Sequence, residues 1–223
     1  MAHRVAKGLV GGCALLLGVT LTGCGAPQYT YIANSKANTY FKVPYGWHKV
    51  DAPSLATVVQ EVTGSDPDWL VAYGANSRSS ARDFLSFGIS QPFVFAETLT
   101  LTTAASQSLS YDALRDYFLP VTTTAQSALA QQFAAEQKAD PFTNFKQFLD
   151  QVLTPAHGVH GVREVFQYTL AGGPTDIFDE IALTNADQTE LYFLVAHCTA
   201  ACYSTNFTKI NDVMKSFTIG SPT

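Results

Sequence analysis

The chain opens on an apolar run and then alternates between a period of two and a period of three to four. From Gly8 to Leu21 every position is apolar or small except Thr20, and Arg4 and Lys7 stand in front of the run. A membrane-crossing helix needs about 20 consecutive apolar residues. This stretch falls short of that, and its basic front makes it a signal peptide. Gly25 to about Lys36, with Pro27 and no sustained pattern, reads as a linker. The run from Thr39 to Trp47 (Thr-Tyr-Phe-Lys-Val-Pro-Tyr-Gly-Trp) then alternates and ends in a Pro-x-Gly turn followed by an indole, which predicts a strand entering a turn. Asp51 to Val62 fits a short helix with Pro53 in its first turn.

Trp69–Gly74 and Phe84–Ile89 are short aromatic and β-branched runs on either side of the polar turn Asn76–Ser80, and are expected to pair as strands. Phe93 to Leu101 alternates in a Thr-rich way that suits a strand or an extended crossing segment. From Ser110 the period lengthens. Leu114 with Phe118, and Leu129 with Phe133, predict helices over Tyr111–Leu119 and Ala125–Gln137, broken near Pro120. Phe142, Phe145, Phe148 and Leu149 recur at three and four residues, so a third short helix is expected after Asp140-Pro141.

Beyond the Gly- and His-rich turn at Ala156–Gly161 the period returns to two, with Val162, Glu164, Phe166 and Tyr168 on one face. Ile177–Leu183 and Leu191–Cys198 flank the loop Thr184–Thr189 as a hairpin. Ser204–Phe217 closes the chain as a helix, with Phe207, Ile210, Val213, Met214 and Phe217 on one stripe. Strands at both ends with helices between and after them predict an α+β fold with a largely antiparallel sheet covered by helices. No repeat, low-complexity block or internal boundary interrupts residues 37–223, which read as a single domain behind a leader (1–23) and a linker (24–36).

Charge narrows the function. Removing residues 1–23 takes away two basic residues and no acid, so the net charge moves from −5 to −7. Across the whole sequence the positive residues are few and scattered, which argues against nucleic acid as a partner. The leader ends in Leu21-Thr22-Gly23-Cys24, which resembles the bacterial lipobox. That resemblance implies diacylglycerol on Cys24, cleavage just before it, acylation (palmitate-type) and attachment to the outer face of a membrane, each buried methylene contributing about 0.8 kcal/mol. The other reading is an ordinary secretory leader with a cysteine beside its cleavage site. Cys13 leaves with the leader and Cys24 takes the lipid, so Cys198 and Cys202 remain as a pair, expected to form a disulfide in an oxidising compartment.

The segment Phe41-Lys-Val-Pro-Tyr-Gly-Trp47 resembles the "F-x-V-P-x-G-W" opening of PsbP-like domains, and the closing hairpin with Val213-Met-Lys-Ser-Phe217 resembles their ending. Together these cover about a third of the chain. With the lipobox, they liken it to the lipid-anchored PsbP-like cell-envelope proteins of actinobacteria, the LpqN and LpqT type. The resemblance implies a PsbP-like α/β/α sandwich and a protein that works by binding. No metal-binding motif of the photosynthetic members is matched here. The middle, Tyr111–Leu153, is longer than a minimal member's.

Candidate chemistry is sparse. His197, Cys198 and Cys202, joined by His157 and His160, could be read as zinc ligands, but the second Cys pair usual in structural sites is missing and the disulfide is the alternative. The sequence contains no Gly-x-Ser-x-Gly, Ser-x-x-Lys or His-Glu-x-x-His, and Gly172-Gly-Pro174 lacks the Lys and helix start of a phosphate loop. Glu164, Asp179 and Glu180 could pair as acid and base, yet carboxylates on the wet face of a sheet are the commoner case. No cofactor or catalytic residue is assigned.

The expected function is non-catalytic binding or scaffolding at the envelope, for a lipid-like molecule, a glycan or an envelope protein. A secreted hydrolase with a non-local active site is the alternative. The chain's fifteen Phe and ten Tyr suit either an apolar pocket or a large core. Phe118, Phe133, Phe142, Phe145 and Phe148 are expected to line a cleft between the sheet and the central helices. If that region packs solidly, these aromatics are core and the partner is met elsewhere.

Overall fold

The structure is a computed structural model that describes residues 27–220. The leader, the lipobox and Cys24 lie outside the described residues. The strands are β1 (Tyr29–Asn34), β2 (Thr39–Pro44), β3 (His48–Lys49), β4 (Trp69–Gly74), β5 (Phe93–Thr100), β6 (Phe142–Leu153), β7 (His160–Leu170), β8 (Thr175–Thr184), β9 (Glu190–Thr199) and β10 (Thr218–Ile219). The helices are α1 (Ala52–Thr63), α2 (Thr103–Ser108), α3 (Tyr111–Arg115), α4 (Thr123–Ala135) and α5 (Ala200–Lys215). Seven strands form one sheet in the order β3-β4-β5-β9-β8-β7-β6, every adjacent pair antiparallel. β1, β2 and β10 form a smaller sheet. The fold is α+β, as the period changes predict.

β9 shows how the sequence places the two cores. Its near-continuous apolar run suits a strand covered on both faces, and it lies between β5 and β8. Leu191, Phe193 and Val195 enter the core that also holds Leu55 and Val59 of α1 and Leu114 of α3. Tyr192, Leu194, Ala196 and Cys198 enter the other core, with Ile210, Val213 and Met214 of α5 and Phe41 and Val43 of β2. α5 starts at Ala200, four residues earlier than its apolar stripe suggests, because Thr199 caps it by accepting from the Cys202 amide.

Four expectations need correction. The segment from Phe84 does not pair with Trp69–Gly74; β4 pairs with β5 instead. Ala81–Leu85 is a 3-10 turn closed by a capping box between Ser80 and Asp83, which turns Phe84 inward to 4.4 Å from the Phe95 ring. The helix expected over Tyr111–Leu119 stops at Arg115, because the Asp116 carboxylate accepts from the Val121 and Thr122 amides and turns the chain. Tyr29–Asn34, inside the expected linker, is a strand in register with β2, with Ile32 and Asn34 buried.

The third central helix is absent, and Phe142–Leu153 is the edge strand β6. Its pairing with β7 slips by one residue between Thr143 and Lys146 and again between Gln147 and Leu149. Each β-bulge adds a residue, so side chains on one face fall three apart rather than two. Phe142 and Phe145 thereby share a face, and Asn144 takes the positive φ of 54° that the first bulge requires. A bulged strand has imitated a helical period.

Candidate functional site

α5 lies over β8 and β9 and against β2, and it leaves the outer part of the large sheet uncovered on its own side. Along that flank Tyr203, Phe207 and Asn211 recur every four residues and form one stripe. The sheet supplies Val165 from β7, Ile177 from β8 and, through the second bulge, both Phe148 and Leu149 from β6. Together they line a groove of about 630 Å³. Phe148 and Phe207 are 48% and 52% exposed, although large apolar side chains ordinarily find cover. Lys146 holds its ammonium 5.1 Å from the Phe148 ring at the rim.

The floor of the groove is polar and closely tied. The Arg163 guanidinium donates to both oxygens of Asp179, at 3.0 and 2.9 Å, and to Asn211 Oδ1 at 3.2 Å. The Tyr203 hydroxyl donates to the same carboxylate at 2.9 Å. Burial pushes Asp179 above the usual carboxylate range, while the bonds from Arg163 and Tyr203 pull it back. The groove therefore pairs an apolar wall with an arginine edge, which suits an amphipathic occupant.

The opposite face of the sheet carries a row of carboxylates. Asp150 lies opposite Glu164, and Glu164 opposite Glu180, on adjacent strands. Glu164, Asp179 and Glu180 are all fully buried, which overturns their expected place on a wet face. Arg115 of α3 donates to Asp150 at 3.0 Å and lies 3.9 Å from Glu164. Burial, reinforced by Asp150, raises Glu164 to about 8 against the opposing pull of Arg115 and Gln147. Burial raises Glu97 to about 7, partly offset by the Tyr117 hydroxyl that donates to it at 2.7 Å. No nucleophile stands among these groups.

The five phenylalanines expected to line one cleft are not brought together. Phe118 packs against Phe84, Phe193 and Phe178, and Phe142 and Phe145 pack against Tyr168, so the space between sheet and central helices is filled. Phe133 is half-buried on α4, a helix with no fully buried residue. Phe148 alone reaches the groove, on the opposite side of the sheet.

Cys198 and Cys202 are joined in a disulfide and so present no thiolate. His197 points to the opposite face from Cys198, its ring stacked 5.3 Å from Phe178 and meeting Phe93 edge-on at 5.6 Å. Burial drives His197 down to about 4, with the Asp83 backbone opposing weakly. His160 Nδ1 lies 3.0 Å from the Gly158 carbonyl oxygen in the turn that also holds His157. No cluster of three or more metal-ligating side chains occurs among the described residues, and no described helix is long and apolar enough to cross a membrane.

No protein-family model and no curated protein matches the chain. Among solved structures, it is similar to the cyanobacterial PsbP (CyanoP) of Synechocystis, at 15% identity and a TM-score of 0.49, covering 95% of this chain and 99% of that one. It is also similar to LpqN of Mycobacterium tuberculosis, involved in cell envelope biogenesis, at 13% identity and a TM-score of 0.47, covering 87% and 91%. The Ran-binding protein Mog1p of Saccharomyces cerevisiae is similar at 9% identity and a TM-score of 0.44, covering 86% and 95%.

Proposed function

We propose that this chain is a non-catalytic binding module, tethered by lipid on Cys24 to the outer face of a membrane, that holds an amphipathic acyl-bearing molecule in the groove beside α5. The observation that carries the reading is the pair of half-exposed rings, Phe148 and Phe207, facing one groove from different elements. A Phe side chain buries roughly 150–250 Å², so covering the exposed half of each ring contributes about 2 kcal/mol. Arg163 at the floor gives an anionic headgroup something to meet. The lipobox residues Leu21–Cys24 support the tether.

The test uses the mature chain with Cys24→Ser, titrated with a fluorescent fatty acyl probe and extracted for co-purifying lipid. Probe binding that weakens at least tenfold in Phe148→Ser/Phe207→Ser is expected. Absence of both probe binding and extracted lipid rejects the groove as a ligand site. Generic esterase, glycosidase and phosphatase substrates are screened in parallel. Turnover abolished by one Ser, His or Asp substitution replaces the binding reading with the hydrolase one.

A further inference from the structure

We infer that the outer face of the small sheet is a membrane-contact surface, which lies against anionic lipid headgroups and fixes how the domain sits on the bilayer. This rests on the proposed tether at Cys24 but not on the groove. Residues 27–50 contain Lys36, Lys42, His48 and Lys49 and no Asp or Glu, inside a chain whose whole net charge is −5. Three of the large apolar side chains left exposed in the molecule also fall in this segment: Tyr31 at 79%, Tyr45 at 64% and Tyr40 at 42%.

The strand register explains why Tyr31, Tyr40 and Lys42 share a surface, while His48 and Lys49 belong to the edge strand β3 of the large sheet. Ile32 and Asn34 of β1, and Thr39, Phe41 and Val43 of β2, turn inward, so Tyr29, Tyr31 and Ala33 turn outward beside Tyr40 and Lys42. Tyr31 stands opposite Lys42, and Ala33 opposite Tyr40. Lys42 places its ammonium 3.9 Å from the Tyr29 ring centre. Lys36 is exposed in the turn between the strands. The Tyr29 hydroxyl donates to Asp212 of α5 at 3.1 Å, and Asp68, Asp187 and Glu190 line the hollows that Lys36 also lines beside the turn. Lys209 and Lys215 are exposed on the same helix as Asp212.

This chemistry suits a headgroup layer. Tyrosine has an apolar body and a hydroxyl tip and is enriched where lipid meets water, and lysines near an anionic leaflet are attracted to it. Position selects the bilayer over other partners. The Tyr45 amide donates to the Gln28 carbonyl at 2.8 Å, so Tyr45 sits where the chain enters the domain. Gln28 follows Cys24 by four residues, which span at most ~14 Å when extended. A lipid on Cys24 therefore holds this end of the small sheet at the membrane surface. The groove-lining stripe lies on another flank of α5 from Asp212, so an occupied groove leaves this contact intact.

The experiment reconstitutes the lipidated chain in vesicles of phosphatidylcholine alone and of phosphatidylcholine with phosphatidylglycerol, then footprints its tyrosines by hydroxyl radicals. Tyr31, Tyr40 and Tyr45 are expected to be protected in the anionic vesicles relative to detergent, while Tyr111, which is 39% exposed elsewhere, is not. Sedimentation of the Cys24→Ser chain with the two kinds of vesicle measures the same contact without the tether. Binding should require phosphatidylglycerol, fall with salt, weaken about fivefold for each of Lys36→Gln and Lys42→Gln, and persist in Phe148→Ser/Phe207→Ser. Uniform labelling of all four tyrosines in the lipidated chain overturns the proposal. So does sedimentation indifferent to phosphatidylglycerol and to Tyr31→Ser/Tyr45→Ser.

Discussion

Glu164 on β7 lies directly opposite Glu180 on β8, both fully buried on the face of the sheet that α3 covers. Both oxygens of Glu180 and one of Glu164 have no hydrogen-bond partner. Two facing carboxylates in such surroundings do not both ionise. Burial, together with Glu164, raises Glu180 well above the carboxylate range, and Glu164 itself rises to about 8. Between the unfolded value near ~4.3 and these folded values the native state binds more protons than the unfolded chain, so stability falls as pH rises through that window. His197 acts oppositely. Held down at about 4, it contributes stability that is lost as pH falls below its unfolded value. Glu180→Gln should therefore stabilise the protein by about 1–3 kcal/mol at pH 8 and have little effect near pH 4. Denaturant melts of both proteins across that range check this, and parallel curves would remove the buried pair from the account.

Arg163 and Asp179 form an ion pair on the other face of the sheet, with Arg163 side-chain exposure of 12% and Asp179 of 0%. Removing one partner leaves the other uncompensated, at a typical cost of about 3–5 kcal/mol. Arg163→Met should lose that much in chemical denaturation, and Arg163→Met/Asp179→Leu should recover a large part of it. A double variant as unstable as the single one would show that the pair matters through its bonds to Asn211 and Tyr203 instead.

Much of the fold was legible because period and burial agree. β9 and its hairpin partner β8 read directly as strands, and the stripe Ile210, Val213, Met214 read as the buried face of α5. β6 was misread because its two bulges space the same-face residues like a helix. The groove was not legible. Phe207 and Phe148 are far apart in sequence, and nothing in either residue says that neighbouring elements will leave it half open. The buried carboxylates did leave a signal: Glu164 keeps phase with Val162, Phe166 and Tyr168, so the alternation had already put it on the apolar face. The basic character of the small sheet was hidden for a different reason. Net charge sums the whole chain, and only the strand register gathers Lys42 beside the exposed tyrosines.

Gly161 sits where β7 runs close against the backbone of β8. A Cβ there would stand 2.0 Å from the Ala182 carbonyl oxygen and 2.8 Å from the Leu183 Cα, neither of which can swing aside. Gly161→Ala should cost about 3 kcal/mol or more, the upper range for overpacking, and thermal melts read it directly. A drop below half of that would mean that β7 and β8 separate more easily than their register implies.

Lipid attachment is expected at Cys24, in the sequence Leu21-Thr22-Gly23-Cys24. The wild-type chain should partition into detergent and carry acyl mass on its first residue, and Cys24→Ser should lose both. Equal partitioning of the two proteins would leave an ordinary secretory leader as the reading.

The disulfide joins the end of β9 to the first turn of α5, where Cys198 and Cys202 are buried at 0% and 7% exposure. Its loop is short, so the chain entropy it removes from the unfolded state contributes only about 2 kcal/mol, less than the ~3 kcal/mol of a 15-residue loop. The same ends are also held by Thr199, whose hydroxyl accepts from the Cys202 amide at 3.3 Å and whose amide donates to the Ile89 carbonyl at 2.9 Å. Cys198→Ala/Cys202→Ala should therefore fold, with a lowered melting temperature and unchanged helix content. Reductant should act slowly on the native wild-type protein, because both sulfurs lie in the core under α5. Intact mass without reductant, before and after alkylation in denaturant, should show two thiols only once the bond has been reduced. Two thiols alkylated in the native, unreduced protein would refute the bond. A double variant that fails to fold would show that it organises the strand-to-helix junction and does more than restrict the unfolded chain.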